Sequence, residues 1–262
     1  MDDTQVYCKT NDGHIIKTLF ELLQNNIKSG IYHFDANGIT MRQTDSQQKI
    51  LIDLALKREY FNLYSVKTPF TNGLNHTIIY RMLRSIKKKD SISFFIRSDQ
   101  PSELGIEIVP KEKNRTTTSY VKVQNVQLYD IQLPTGYDSC VIIPSIEYQK
   151  MIKDMGNMSN KIKIVNMGSQ LKFVCTNDCI YSREVLFGEK TSHPVSEQFE
   201  QEFETESLSR ISKISGLNSF LQIYQSKNLP LLIKSGVGML GTISIYIKDN
   251  EQIEQEIATE ND

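Results

Sequence analysis

The chain is short of cysteine, of long apolar runs and of net charge, and each shortage excludes a class of protein. Across 262 residues there is no run of eighteen apolar residues, so no segment reads as a membrane span. The opening Met1-Asp2-Asp3-Thr4 has neither a basic nor an apolar leader, so no secretory signal is expected and the protein should stay inside a cell. Four cysteines, Cys8, Cys140, Cys175 and Cys179, do not make a disulfide framework in an intracellular chain of this length, so they are expected to be buried free thiols. Cys175 and Cys179 stand four apart, but no second pair and no paired histidines complete a zinc site, and no metal is expected. The four histidines, His14, His33, His76 and His193, are scattered without a serine or aspartate partner at a recognisable spacing. No glycine-rich phosphate loop is present either, so neither catalysis nor a cofactor is expected.

What is present can build a core. Apolar residues make up 39% and charged ones 23%, a globular composition, and the length allows one large domain or two of about 130 residues.

The formal net charge is only −1, yet Asn75 to Lys89 holds five basic side chains and no acid. Ile78, Ile79, Met82, Leu83 and Ile86 recur at the spacing of one helical face, with Arg81, Arg84 and Lys88 on the other. The expectation is a helix over 75–89 with a cationic outer face that includes Lys87. Acid gathers elsewhere: Glu197, Glu200, Glu202, Glu204 and Glu206 fall in one ten-residue stretch, and 249–262 reads as a frayed acidic tail.

The order of elements repeats. A strand at 4–9 leads to a helix at 13–25 that turns Ile15, Ile16, Leu19, Phe20, Leu22 and Leu23 inward. Asp35-Ala36-Asn37-Gly38 between two alternating runs marks a hairpin. Strands follow at 49–56 and 61–66, then the basic helix, then strands at 91–98, 103–110 and 115–124. The second half begins with a strand at 139–143 and a helix at 145–155, with Pro144 near the first turn, Ser145 as a candidate cap, and Ile146, Met151, Ile152 and Met155 towards the core. Strands at 161–166, 170–175 and 179–187, a polar loop at 188–196 and an acidic strand come next. A helix at 207–217 precedes strands at 219–226, 229–235 and 239–247. Two similar halves suggest a tandem duplication. The division is 1–123, a connecting loop at 124–138 containing Leu133-Pro134-Thr135-Gly136, 139–248, and the tail.

The basic pair recurs as well. Lys150 and Lys153 share the three-residue spacing of Arg81 and Arg84, Arg210 and Lys213 repeat it, and Lys17 stands on the polar face of the first helix. Four helices with cationic outer faces argue for one surface aimed at a polyanion.

With this organisation, Asp35-Ala-Asn-Gly-Ile-Thr-Met-Arg-Gln-Thr-Asp-Ser46, Gly73-Leu-Asn75, Ser139-Cys-Val-Ile-Ile-Pro-Ser145 and Asn228-Leu-Pro-Leu-Leu-Ile233 resemble the proliferating cell nuclear antigen family of sliding clamps from about residue 4 to 247. The resemblance implies an α+β DNA clamp fold, with two similar domains per subunit and helices on one face of β-sheets. Three subunits would close head to tail as a homotrimer around duplex DNA. Lys17, Arg81, Arg84, Lys150, Lys153 and Lys213 then fall where such clamps carry inner-surface cations, with Lys87, Lys88 and Arg210 beside them. Subunits would join through Thr116, Thr118, Tyr120 and Val121 on one edge and Cys179, Ile180, Tyr181 and Val185 on the other. Partner peptides, carrying a glutamine and apolar or aromatic anchors, would dock at Thr44, Ile131, Leu133, Pro230 and Tyr246. The implied partners are a DNA polymerase, other clamp-binding proteins and an ATP-dependent loader, in the nucleus or at a viral replication site. A subunit of a heterotrimeric checkpoint-type clamp and a monomeric processivity factor are the alternatives.

Three departures stand out. Thr44 occupies a position where a methionine is usual. Tyr246 is followed by Ile247-Lys248-Asp249 instead of a small residue and proline, and Met167-Gly168 replaces a modifiable lysine.

Overall fold

The computed structural model describes residues 3–112, 114–125, 130–177, 180–189 and 198–260. The chain packs as two compact units, one of Met1–Asp45, Ile52–Ile131 and Gly236–Ile243, the other of Ser46–Leu51, Gln132–Ser235 and Ser244–Asp262. The first half of the chain runs β1 (Thr4–Thr10), α1 (Gly13–Asn26), β2 (Ser29–Phe34), β3 (Gly38–Thr44), β4 (Ile50–Lys57), β5 (Leu63–Val66), β6 (Phe70–Asn75), α2 (His76–Leu83), β7 (Ser91–Arg97), β8 (Gln100–Val109) and β9 (Thr117–Lys122). The second runs β10 (Cys140–Pro144), α3 (Ser145–Gly156), β11 (Lys161–Asn166), β12 (Gln170–Asn177), β13 (Tyr181–Gly188), β14 (Phe199–Glu204), α4 (Thr205–Arg210), a 3-10 segment (Ser212–Gly216), β15 (Phe220–Tyr224), β16 (Leu231–Gly236), β17 (Gly241–Ile247) and α5 (Asn250–Glu260).

The duplication extends to strand order. The first half has the runs β1-β7-β8-β9, with β5 added beside β1, and β4-β3-β2-β6. The second has β10-β15-β16-β17 and β13-β12-β11-β14, the same two patterns with counterparts in the same places. Within the first unit the outer edge of β4 is met by the 236–243 stretch, where Lys57 N donates to Leu240 O at 2.9 Å. Its counterpart β13 is the last strand of its sheet, and so is β9, the counterpart of β17, among the described residues.

Local chemistry explains most elements. Asp35 Oδ1 accepts from the amides of Asn37 (2.7 Å) and Gly38 (3.0 Å), closing the hairpin before β3. Gly38 has φ +151°, and a Cβ there would stand 2.0 Å from Leu56 O, so only glycine fits. Asn75 caps α2 by accepting from Ile78 N at 3.0 Å. The apolar spacing of α1 buries Ile16, Leu19, Phe20, Leu22 and Leu23, while Ile15 is only half-buried. In the second unit Tyr148 lies fully buried and donates to Leu208 O at 3.2 Å, tying α3 to α4. A fully buried Leu or Phe contributes about 1.5–3 kcal/mol, against roughly 0–1 for an exposed ion pair, so cores rather than surface charges hold each unit.

Five expectations are corrected. The basic helix ends at Leu83 rather than Lys89, because buried Asp90 captures Lys87 N at 2.9 Å and turns the chain. β6 was not expected: Asn72, Gly73 and Asn75 are poor strand formers, and pairing with β2 over Ser29↔Asn75 to Phe34↔Phe70 overrides them. Ile78, Met82 and Ile146 are exposed, not core. Ser145 does not cap α3; its hydroxyl donates to Asn218 O and its amide to Ser219 O. The helix expected over 207–217 is a short α4 followed by a 3-10 segment.

The acidic tail is also not frayed over 250–260. Asp249 Oδ1 accepts from Gln252 N (2.8 Å) while Gln252 Oε1 accepts from Asp249 N (3.1 Å), a reciprocal capping box that starts α5. Lys248 Nζ then grips Glu256 at 2.6 Å, and Gln201 holds the other oxygen of buried Asp249 at 2.7 Å. Asp249→Ala should cost about 1–2 kcal/mol and speed amide exchange across 250–260 before any other segment.

His76 generates a pH dependence. It is buried against Phe20 and Tyr32, with Nδ1 donating to Ile27 O (2.6 Å) and Nε2 accepting from the Tyr32 hydroxyl (3.0 Å). Burial lowers its pKa from 6.5 to about 4, partly opposed by the Ile27 hydrogen bond. Between those values the unfolded chain binds the proton more readily, so stability falls as pH drops from 6.5 towards 4 and is fully present above 6.5. The loss should approach about 3 kcal/mol. Denaturant titrations at pH 7 and pH 4 check it, and His76→Gln should flatten that part of the slope.

Candidate nucleic-acid interface and assembly edges

The cationic side chains lie on paired helices within each unit. In the first, α1 packs on α2, and Lys17 Nζ donates to Arg84 O at 2.8 Å and Ile86 O at 3.3 Å. Lys17 therefore neutralises the Arg84 carbonyl at the C-terminal cap of α2 and reaches Ile86 O in the segment beyond it. Arg81, Arg84, Lys87 and Lys88 are exposed beside it, the last two on the turn that follows the helix. In the second unit α3 packs on α4 and the 3-10 segment, and Lys150, Lys153, Ser209 and Ser212 line one shallow groove. Lys150 pairs with Glu147 at 2.9 Å, and Arg210 with Glu206 at 2.5 Å. Lys153 and Lys213 are exposed. Glu206 enters this face because α4 starts at Thr205, two residues earlier than the spacing suggests.

The acidic strand is largely compensated. Gln201 and Phe203 of β14 point inward while Glu200, Glu202 and Glu204 point outward. Lys163 reaches Glu200 (2.8 Å), Lys161 reaches Glu202 (2.7 Å) and Lys49 reaches Glu204 (3.3 Å). The acid of β14 is thus neutralised within its own unit, two of the three pairs lying on its own sheet.

The two edge strands carry the residues expected of a subunit joint, with differences. On β9, Thr118 and Tyr120 are exposed, the Tyr120 ring meeting Phe95 edge-on at 6.2 Å over Gly105, where a Cβ would stand 2.2 Å from the Phe95 ring. Val121 is buried in its own sheet, and Thr116 is exposed just before the strand begins. On the other edge Ile180 is 79% exposed, Tyr181 is exposed, Val185 is half-buried and Leu186, not singled out from sequence, is 50% exposed. Cys179 and most of the polar loop at 188–196 lie outside the described residues.

Thr44 and Ile131 belong to the first unit, both half-buried. Leu133, Pro230 and Tyr246 belong to the second, with Tyr246 buried. There the Tyr137 hydroxyl donates to Pro230 O at 2.7 Å, and its ring stands 6.2 Å from both Tyr224 and Tyr246. Burial raises the Tyr137 pKa, so this phenol stays protonated and keeps donating. Sequence reading missed Tyr137, because a tyrosine inside an irregular linker carries no periodic signal.

Cys8, Cys140 and Cys175 are free thiols, and burial pushes the Cys8 pKa up to about 12, so that thiol is inert. Among the described residues no group of His, Cys, Asp or Glu could hold a metal ion, and no helix is long and apolar enough to cross a membrane.

Lys17→Met should uncover the α2 carbonyls and lower stability by about 0.5–1 kcal/mol, read as a reduced Tm, whereas Lys153→Met should leave Tm unchanged.

Comparison with known proteins follows the same two-part division. The model of the proliferating cell nuclear antigen N-terminal domain matches residues 6–132, and that of its C-terminal domain matches 133–250. The chain is 26% identical over 257 residues to a probable DNA polymerase sliding clamp 1 of Paramecium bursaria Chlorella virus 1, covering 94% of this chain and 98% of that protein. It is 22% identical over 242 residues to the proliferating cell nuclear antigen of Chaetomium thermophilum, covering 89% and 93%. To proliferating cell nuclear antigen 2 of Plasmodium falciparum it is 23% identical over 232 residues, covering 85% and 88%. With both domain models matched in order across nearly its whole length, the chain belongs to the proliferating cell nuclear antigen family.

Proposed function

We propose that this chain is a DNA sliding clamp: a non-catalytic processivity factor that closes with two further copies into a ring around duplex DNA and tethers DNA polymerase. The observation that carries the ring is the equivalence of strand edges. Inside one chain the edge of β4 is met by the stretch leading into β17, while among the described residues their counterparts β13 and β9 are the last strands of their sheets. A second copy that lays its β9 along β13 repeats between chains the joint that each chain makes once internally. Such a head-to-tail contact closes when its rotation fits a ring. Tyr120, Ile180, Tyr181 and Leu186 supply apolar area at those edges.

The cationic helix faces supply the affinity for DNA. Arg81, Arg84, Lys87, Lys88, Lys150, Lys153, Arg210 and Lys213 would meet phosphates through water and exchangeable contacts, without reading bases, as sliding requires. Lys17 acts there by capping α2. Retention on DNA is topological, so individual contacts can stay weak. Partner peptides would dock at Ile131 and Leu133 with Thr44, Pro230 and Tyr246. Ring opening falls to a separate ATP-driven loader, and the place of action is a nucleus or a viral replication site.

Light scattering across a concentration series should give three times the 30.1 kDa chain mass. Tyr120→Asp should yield a folded monomer. A wild-type chain that stays monomeric at tens of micromolar would overturn the self-closing ring and favour a heteromeric or monomeric clamp. For assembled clamp on duplex DNA, each of Arg81→Gln and Lys153→Gln should lower the salt slope of association by about 0.9 if it removes one phosphate contact; unchanged slopes would take these side chains out of the DNA-facing surface.

A further inference from the structure

Residues 130 and 131, the last of their stretch of the first unit, lie in neither helix nor strand, so no backbone ladder holds them there. A side chain does so at Ile131. Arg42, on the outward face of β3, donates through Nε to Asp53 Oδ1 on β4 at 3.0 Å and through a terminal nitrogen to Ile131 O at 2.9 Å. One planar guanidinium thereby joins two adjacent strands to a backbone group 89 residues further along the chain. The linker does not lie flat at this point. A cleft of about 430 Å³ opens between the sheet residues Ile31, His33, Thr40 and Gln43 and the linker residues Asp130 and Ile131, and Arg42 lines it. Arginine suits the task because its donors form a rigid fork that can serve a carboxylate and a carbonyl together, whereas a lysine ammonium is a point charge on a flexible stem. Asp53 completes the arrangement: it fixes the plane of the guanidinium and offsets its charge, so that the terminal donor is aimed at the linker.

We propose that Arg42 is a positioning residue for partner binding, a latch that holds Ile131 in place before a peptide arrives. This rests on the reading of Ile131 and Leu133 as part of the peptide-docking surface. A peptide that meets a loose linker must order it on binding, and that lost conformational freedom is subtracted from affinity. The latch meets that cost in the free protein. Its contribution is therefore preorganisation, with no contact between Arg42 and the peptide required.

The test uses the full chain and a synthetic peptide carrying a glutamine followed by aliphatic and aromatic anchors. Arg42→Gln should speed amide exchange over 130–133 by about tenfold, the effect of losing one charge-assisted hydrogen bond, and weaken the peptide by a similar factor, with Tm unchanged. Asp53→Asn and Arg42→Lys should give intermediate values in both readouts. Unchanged exchange in Arg42→Gln would overturn the latch. Faster exchange with unchanged peptide affinity would overturn the positioning role. If the wild-type chain binds no such peptide, the docking reading fails, and faster exchange in the variant would still support the latch.

Discussion

Backbone groups at the edge of a β-sheet must be paired, covered or left to attract another strand, and most of this molecule can be understood from where its edges are placed. The two halves of the chain repeat the same two strand runs, so each kind of edge occurs twice. One of each is used inside the chain, where the edge of β4 meets the stretch that leads into β17. Among the described residues the edges of β13 and β9 remain, bordered by exposed apolar side chains. Under the proposed ring, each chain offers both halves of this joint, and a further copy would pair them.

Charge is distributed in accordance with that architecture. The acids of β14 are neutralised by lysines of their own unit, and Lys248 pairs with Glu256 of α5, so much of the acid is balanced locally. Arg81, Arg84 and Lys153 instead stand exposed on helix faces or ends. A near-zero total therefore conceals a strong local bias, and local bias is what a phosphate backbone experiences at a separation comparable to the Debye length. Among these cations Lys17 differs in kind, because its ammonium is committed to the carbonyls at the end of α2.

The linker shows how little regular structure is needed to place a segment. Arg42 fixes Ile131 in the first unit, and Tyr137 donates to Pro230 in the second. Both are side-chain-to-backbone bonds, made without any regular backbone pairing.

Periodicity in the sequence determined most of the order of strands and helices, the two-part repeat and the cationic helix faces, because each depends on residues close together in the chain. The hairpin at Asp35–Gly38 was legible for the same reason: one carboxylate and one glycine make it. Other features were decided only by tertiary structure. β6 exists because β2 lies beside it; α2 stops early because Asp90 captures the Lys87 amide; α5 forms because buried Gln201 steadies the aspartate that caps it. Ile78 and Ile146 match an apolar spacing, yet both stay exposed. Arg42 and Tyr137 gave no signal at all, since the partner of each lies some ninety residues away. Sequence spacing reports which faces a segment offers, while burial and long-range hydrogen bonds depend on what the rest of the chain brings against them.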